Sequence, residues 1–214
     1  MSCSQCQGIE RVFDSKLARR ELRSYRWFGP RRSTSILLQF LKPLAGQRSL
    51  LDIGGGVGVI QHELFAYDLR EAIQVDGASA YIDLSRDESR RRGNEASTRY
   101  IHGDFVELAQ QDSSLGGDVV SLDRVICCYP LMQELLGMAA DRANLAVGLV
   151  FPRDGRLFRL LGRIGNFFVR FYDSDYRMYI HSTSDVERIM HDRGFSRVAL
   201  RKTLAWQIHL YKRP

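Results

Sequence analysis

Hydrophobic positions in this chain follow two alternating rhythms. Short strand-like runs recur at 49–53, 72–76, 98–102 and 118–123, apolar in the main except for Thr98-Arg99-Tyr100-Ile101-His102, each bounded by glycine, an acid or turn residues. Between them, apolar residues return every three or four positions. The first rhythm predicts strands and the second amphipathic helices. Their alternation predicts a parallel sheet with right-handed helical crossovers. Asn144 to Phe151 predicts a fifth strand. Arg156 to Val169 predicts a basic amphipathic helix carrying Leu157, Leu160, Leu161, Ile164 and Phe168, which suits packing on the sheet or a membrane surface. Thr183 or Ser184 caps a further helix through Arg193, where Gly194 ends it. The last two strands, near 196–203 and 205–212, predict an antiparallel pair joined by a short turn.

Ahead of the first strand, residues 9–24 predict a helix with Phe13, Leu17 and Leu22 on one side. Trp27-Phe28-Gly29-Pro30 breaks it. Ser33 to Leu44 predicts a second helix, with Ile36, Leu37, Phe40, Leu41 and Leu44 at helical spacing. The organisation expected is an N-terminal helical lid over residues 1–45 and one compact α/β unit over 46–214. No repeat or low-complexity block interrupts it.

Candidate chemistry concentrates where the first strand meets the next helix, in Ser49-Leu50-Leu51-Asp52-Ile53-Gly54-Gly55-Gly56-Val57-Gly58. Glycines at such a turn let the backbone bend sharply and approach a ligand closely. Amides at the helix start favour electron-rich groups. The dinucleotide fingerprint G-x-G-x-x-G is not met, because Val59 stands where its third glycine would fall. The phosphate-loop pattern also fails, since no Lys-Ser or Lys-Thr follows. A second strand ends in Asp76-Gly77, and an acid about 20 residues past such a turn accepts hydrogen bonds from ribose hydroxyls. Asp76 also fits a helix cap. Gly103-Asp104-Phe105 closes the third strand, and Asp104 equally fits a turn or cap.

Acid-x-Gly-x-Gly-x-Gly, then Asp76, then Gly-Asp-Phe, in that order, resembles the motifs of class I S-adenosylmethionine-dependent methyltransferases. The resemblance covers roughly residues 45–212. It implies a Rossmann-like methyltransferase fold, with a mostly parallel seven-stranded sheet, an antiparallel last strand and helices on both faces. It also implies S-adenosylmethionine as cofactor, held by Asp52, Gly54, Gly55, Gly56, Gly58, Asp76, Gly77, Asp104, Phe105 and Asp123. Asp52 would serve the amino group of the methionine end, often through water. Asp76 would take the ribose, Asp104 the adenine amino group, and Phe105 would pack beside the ring. Cys127-Cys128 stands where many relatives acting on small molecules carry Glu-His. The Asn/Asp-Pro-Pro-aromatic motif of enzymes that methylate exocyclic amines of nucleic acids is absent from this loop. The run from Cys3-x-x-Cys6 through Tyr25-Arg26 to Asp123–Pro130 further resembles a group of small, uncharacterised bacterial methyltransferases.

Composition narrows the setting. A chain of 214 residues with 44% hydrophobic content supports one sizeable core. No apolar run is long enough to span a bilayer, and no secretory signal pattern opens the chain. Four cysteines at 3, 6, 127 and 128 do not form a secreted disulfide pattern, so a reducing cytoplasm is the simplest setting. Cys3-x-x-Cys6 lacks a second pair at zinc-ligand spacing, and no metal is expected. Cys127 and Cys128 fit either small buried hydrophobes or substrate-facing thiols. The net charge of +6, with arginines clustered at 19–32 and 90–92, suits RNA, an anionic small substrate or a solvated basic face.

The strand-end rule puts the reacting group near Asp123 to Tyr129. Asp123, Tyr129 and His181 are the candidate catalytic residues, and Tyr25, Arg26, Trp27 and Tyr129 the candidate acceptor contacts. Methyl transfer to a small-molecule acceptor, preferentially at oxygen, leads, with an anionic acceptor among the options. An RNA methyltransferase using the basic face and an inactive cofactor-binding partner protein are the rivals.

Overall fold

The computed structural model describes residues 13–155 and 179–214. The helix expected over 156–169 and the Cys3-x-x-Cys6 pair lie outside the described residues. Seven strands form one sheet: β1 (Ser49–Ile53), β2 (Glu71–Asp76), β3 (Thr98–His102), β4 (Gly117–Asp123), β5 (Ala143–Pro152), β6 (Ser196–Lys202) and β7 (Trp206–Lys212). Their order is β3-β2-β1-β4-β5-β7-β6. β1 to β5 pair in parallel, and β7 runs antiparallel to both its neighbours. The mostly parallel sheet with a reversed last strand is therefore as expected. After β3 the chain returns to place β4 on the other side of β1, so β1 and β4 flank the point where the winding reverses. Ligands of open α/β sheets bind beside that point, at the carboxyl ends of the strands.

Consecutive residues of the inner strands feed opposite faces, as strand geometry requires. Leu51, Val120, Val147 and Tyr211 face a core closed by α5 (Phe105–Gln111), α6 (Met132–Asp141) and α7 (Thr183–Asp192). Their neighbours Leu50, Val119, Ala146 and Leu210 face the other core, closed by α2 (Arg32–Leu41) and α3 (Val59–Phe65). Gly148 permits the close approach of α2, because a Cβ there would lie 2.8 Å from Leu37 and 3.1 Å from Leu41. This N-terminal helix thus fills the sheet's own core. The first helix, α1 (Ser15–Phe28), lies nearer the glycine turn. Its stripe of Ala18, Leu22 and Tyr25 packs with Val57 and with Ala78 and Tyr81 at the start of α4 (Ser79–Arg92).

α1 continues to Phe28, beyond the end expected at residue 24 and into the break read at Trp27–Pro30. Asp14 caps its start by accepting from the amides of Lys16 and Leu17 at 3.0 and 2.8 Å, and Gly29, at φ +72°, ends it.

Candidate active site

A cavity of about 350 Å3 opens at the carboxyl ends of β1, β2, β3 and β4. Its floor is the glycine turn between β1 and α3. Gly54, Gly56 and Gly58 have φ of 62°, 57° and 76°, a region that side-chain-bearing residues rarely adopt. Gly55 is required for another reason: a Cβ there would fall 2.7 Å from Asp52 Oδ2 and 2.9 Å from Gln74 Cγ.

β2 clamps this turn with two side chains. Asp76 Oδ2 accepts from the Gly56 amide at 2.9 Å, and Gln74 Nε2 donates to the Gly56 carbonyl at 2.7 Å. Residues 74 and 76 share a face because strand side chains alternate. Gln74 is oriented from behind by Ser85, whose hydroxyl donates to Gln74 Oε1 at 2.5 Å and accepts from Gln61 Nε2 at 3.2 Å. Sequence reasoning passed over Gln74. A glutamine between the apolar Ile73 and Val75 was the available signal.

Four aspartates line the cavity. Asp52 is 1% exposed. Its Oδ1 accepts from Ser121 Oγ at 2.6 Å, whereas Oδ2 is buried with no hydrogen-bond partner. Burial, with a smaller push from Asp123 and Asp76, raises its carboxyl to about 7 against the opposing Ser121 bond. Asp76 is also raised by burial, opposed by the amides of Ala78 and Gly56. Asp104 caps α5, accepting from the amides of Val106 at 2.8 Å and Glu107 at 3.3 Å. Tyr129 also donates its hydroxyl to Asp104 Oδ1 at 3.2 Å. Asp104 is therefore a helix cap that also lines the cavity. Asp123 accepts from Thr34 Oγ1 at 2.5 Å and from Arg124 Nε at 3.0 Å. Arg124 itself holds φ +65°, uncommon for a residue with a side chain.

The structure brings together Asp52, Gly54, Gly55, Gly56, Asp76, Gly77, Asp104, Phe105, Asp123 and Tyr129 around this cavity. Gly58 stands just behind, against Ser85 and His62. Three expected acceptor contacts lie elsewhere. Tyr25 is in the buried stripe of α1, its hydroxyl donating to Glu63 at 2.7 Å. Arg26 pairs with the fully buried Glu88 at 2.7 Å, and Trp27 is 81% exposed. The error was reading a chain break where α1 continues. The spacing of Ala18, Leu22 and Tyr25 already matched one helix face. Instead, Phe13, Glu21 and Arg31 bring the N-terminal region to the cavity. Glu21 accepts from Arg31 at 2.7 Å and from Tyr81 at 3.0 Å.

His181 needs the same correction. Its Nε2 lies 2.8 Å from the Ile126 carbonyl and 3.2 Å from the Tyr129 carbonyl, and carries the proton that such acceptors require. It fastens the loop from outside the cavity. Burial lowers its pKa, so the neutral ring is favoured. Among the described residues, no group of three or more His, Cys, Asp or Glu side chains could hold a metal ion.

Comparison of the coordinates with solved structures decides the fold. The magnesium protoporphyrin IX methyltransferase of Synechocystis PCC 6803, solved with bound SAH, superposes with a TM-score of 0.73 at 18% identity, covering 96% of this chain and 98% of that one. This is the class I methyltransferase fold. The PH0226 protein of Pyrococcus horikoshii OT3 gives 0.62 at 20% identity, covering 90% and 99%. An O-methyltransferase family protein of Burkholderia thailandensis gives 0.63 at 14% identity, covering 84% and 58%. No family model and no curated protein matches the sequence. Within the methyltransferase fold, the cavity occupies the strand-end crevice expected to take the cofactor, and Cys127, Cys128 and Tyr129 form its wall after β4.

Proposed function

We propose that the protein transfers a methyl group from S-adenosylmethionine to a small-molecule acceptor, preferentially at oxygen. One observation carries the reading: carboxylates at the ends of β1, β2 and β3 line one cavity beside a glycine turn. The unpartnered Oδ2 of Asp52 suits the ammonium of the methionine end, since a buried carboxylate oxygen without a donor calls for a cationic partner. Asp76 suits the ribose hydroxyls, and Asp104 with Phe105 the adenine. When bound, the sulfonium supplies an activated methyl group; alignment and exclusion of water are the protein's share.

The acceptor is acidic on this reading. Asp123 is engaged by Thr34 and Arg124, Tyr129 donates to Asp104, and His181 lies outside the cavity with its ring turned to two loop carbonyls. None of the three is poised to take a proton from an alcohol. A phenol or carboxylic acid needs little base assistance. Arg31 and Arg124 on the cavity wall favour an anionic acceptor, although each is partly neutralised by its own carboxylate.

Calorimetry with S-adenosylmethionine, S-adenosylhomocysteine and NAD tests the cofactor. Binding of the first two and not of NAD supports the reading, and binding of NAD alone overturns it. Transfer of label from methyl-labelled S-adenosylmethionine to a panel of phenols, carboxylic acids and RNA then sorts the acceptor class.

A further inference from the structure

Two adjacent cysteines of the loop after β4 line the cavity, and the proposed transfer chemistry uses neither. Cys127 Sγ and Cys128 Sγ are 3.8 Å apart, and neither is in a disulfide. Side chains of neighbouring residues usually diverge. These converge: both thiols point at the Arg124 carbonyl, at 3.2 and 3.7 Å. The backbone around them is fixed. Cys128 donates its amide to Val125 at 2.8 Å, Tyr179 donates its amide to the Cys127 carbonyl at 2.7 Å, and His181 holds the carbonyls on either side. Val125 in turn presses on the glycine turn, where a Cβ on Gly54 would lie 2.6 Å from its Cγ2. The dithiol is therefore a preorganised part of the cavity wall.

Closing a disulfide between these two residues is unfavourable. Consecutive Cα atoms are about 3.8 Å apart, below the roughly 4.4–6.8 Å that disulfides span. Contact with the Cys128 thiol, then burial, raises the Cys127 thiol well above its usual value, so it is protonated at neutral pH. A protonated thiol is a poor target for monofunctional alkylating reagents. What suits two convergent, reduced thiols is one atom that bonds both.

We propose that Cys127 and Cys128 form a dithiol clamp for a trivalent thiophilic metalloid, of which a monosubstituted arsenical is the simplest. In the condensation both thiols attack R–As(OH)2. Two S–As bonds form and two As–O bonds break. Each thiol proton leaves with a hydroxyl as water, and arsenic stays trivalent. The R group then occupies the part of the cavity beside the β4 loop. Occupancy should exclude an acceptor and spare the cofactor subsite.

Phenylarsine oxide titration of the full chain tests this, with Cys3→Ser and Cys6→Ser so that two thiols remain. One arsenical per chain, consumption of both thiols, and reversal by a dithiol but not by a monothiol are expected. Cys127→Ser or Cys128→Ser should each weaken binding at least about tenfold, while iodoacetamide reacts slowly. Binding of two arsenicals, a single-cysteine variant that binds as well as the pair, or no reaction overturns the proposal. Peptide mapping of the arsenical on the unsubstituted chain covers misfolding of the variants, and label confined to Cys3 and Cys6 also overturns it. S-adenosylhomocysteine affinity, measured with and without the arsenical, should agree within about threefold. Failure of S-adenosylhomocysteine to bind at all would count against the cofactor reading and leave the thiol result standing.

Discussion

Asp52 should make cofactor affinity pH-dependent in the neutral range. In the free protein its carboxyl is buried beside other acids and pushed up to about 7. A ligand ammonium on Oδ2 would favour the carboxylate, so binding should expel the proton that the free protein holds. About a tenth of molecules have Asp52 ionised near pH 6, and about nine-tenths near pH 8. Affinity for S-adenosylhomocysteine should therefore rise about tenfold across that interval, about 1.4 kcal/mol. Stability of the free protein should move the other way. An unfolded Asp loses its proton near pH 4, whereas the folded one keeps it to about 7. Across that window the unfolded state binds fewer protons, so stability falls as pH rises. At about 1.4 kcal/mol per unit, the loss is roughly 4 kcal/mol at most.

Asp52→Asn separates the two effects. It should be more stable than the parent near pH 8 and yet bind S-adenosylhomocysteine more weakly, with the pH slope gone. Calorimetry in buffers of different ionisation enthalpy reads the expelled proton directly, and thermal melts over the same pH range read stability. Asp76 is the other cavity acid raised by burial. A slope that survives Asp52→Asn but vanishes in Asp76→Asn would move the role there. A flat profile in the parent protein would refute the reasoning altogether.

Asp76→Ala should weaken S-adenosylhomocysteine by about 2 kcal/mol, roughly thirtyfold, because bonds to a charged acceptor are lost; unchanged calorimetric affinity in a folded variant would reduce Asp76 to a turn residue. Gln74→Leu should cost about tenfold in affinity by releasing the Gly56 carbonyl, with a lowered melting temperature because Ser85 loses its acceptor. Glu88→Gln should destabilise the fold by about 2 kcal/mol in chemical denaturation, since it strands Arg26, Arg91 and Arg92 around a buried side chain. That figure discounts a buried pair because the arginines are partly exposed. Burial raises the Glu88 carboxyl, but hydrogen bonds from Arg91, Arg92 and Arg26 hold it well below the usual range. Its contribution is therefore present at neutral pH and lost in acid, as pH falls through the folded value.

How much of this site could be read from residues alone follows from the range of the forces involved. The glycine turn and the acids ending β1, β2 and β3 are local features: strand, turn and helix follow one another within about ten residues, so order and spacing carried them. The reversed strand β7 was legible for the same reason, because the turn between 202 and 206 is short. Tyr25, Arg26 and Trp27 were misplaced because aromatic and basic residues beside Gly29-Pro30 looked like a loop, while helical phase alone decides which of them is buried. His181 was misplaced because its role depends on carbonyls more than 50 residues away, a pairing that no spacing encodes. Gln74 marks the same boundary. Its partners Gly56 and Ser85 lie on two other elements, so only the folded sheet reveals that this glutamine helps fix the turn. The residues that line the cavity can thus be read locally, whereas those that hold them in place are set by tertiary contacts. Mutating Gln74 tests the second kind directly: if the turn keeps its shape and affinity without that amide, backbone geometry alone maintains the cradle.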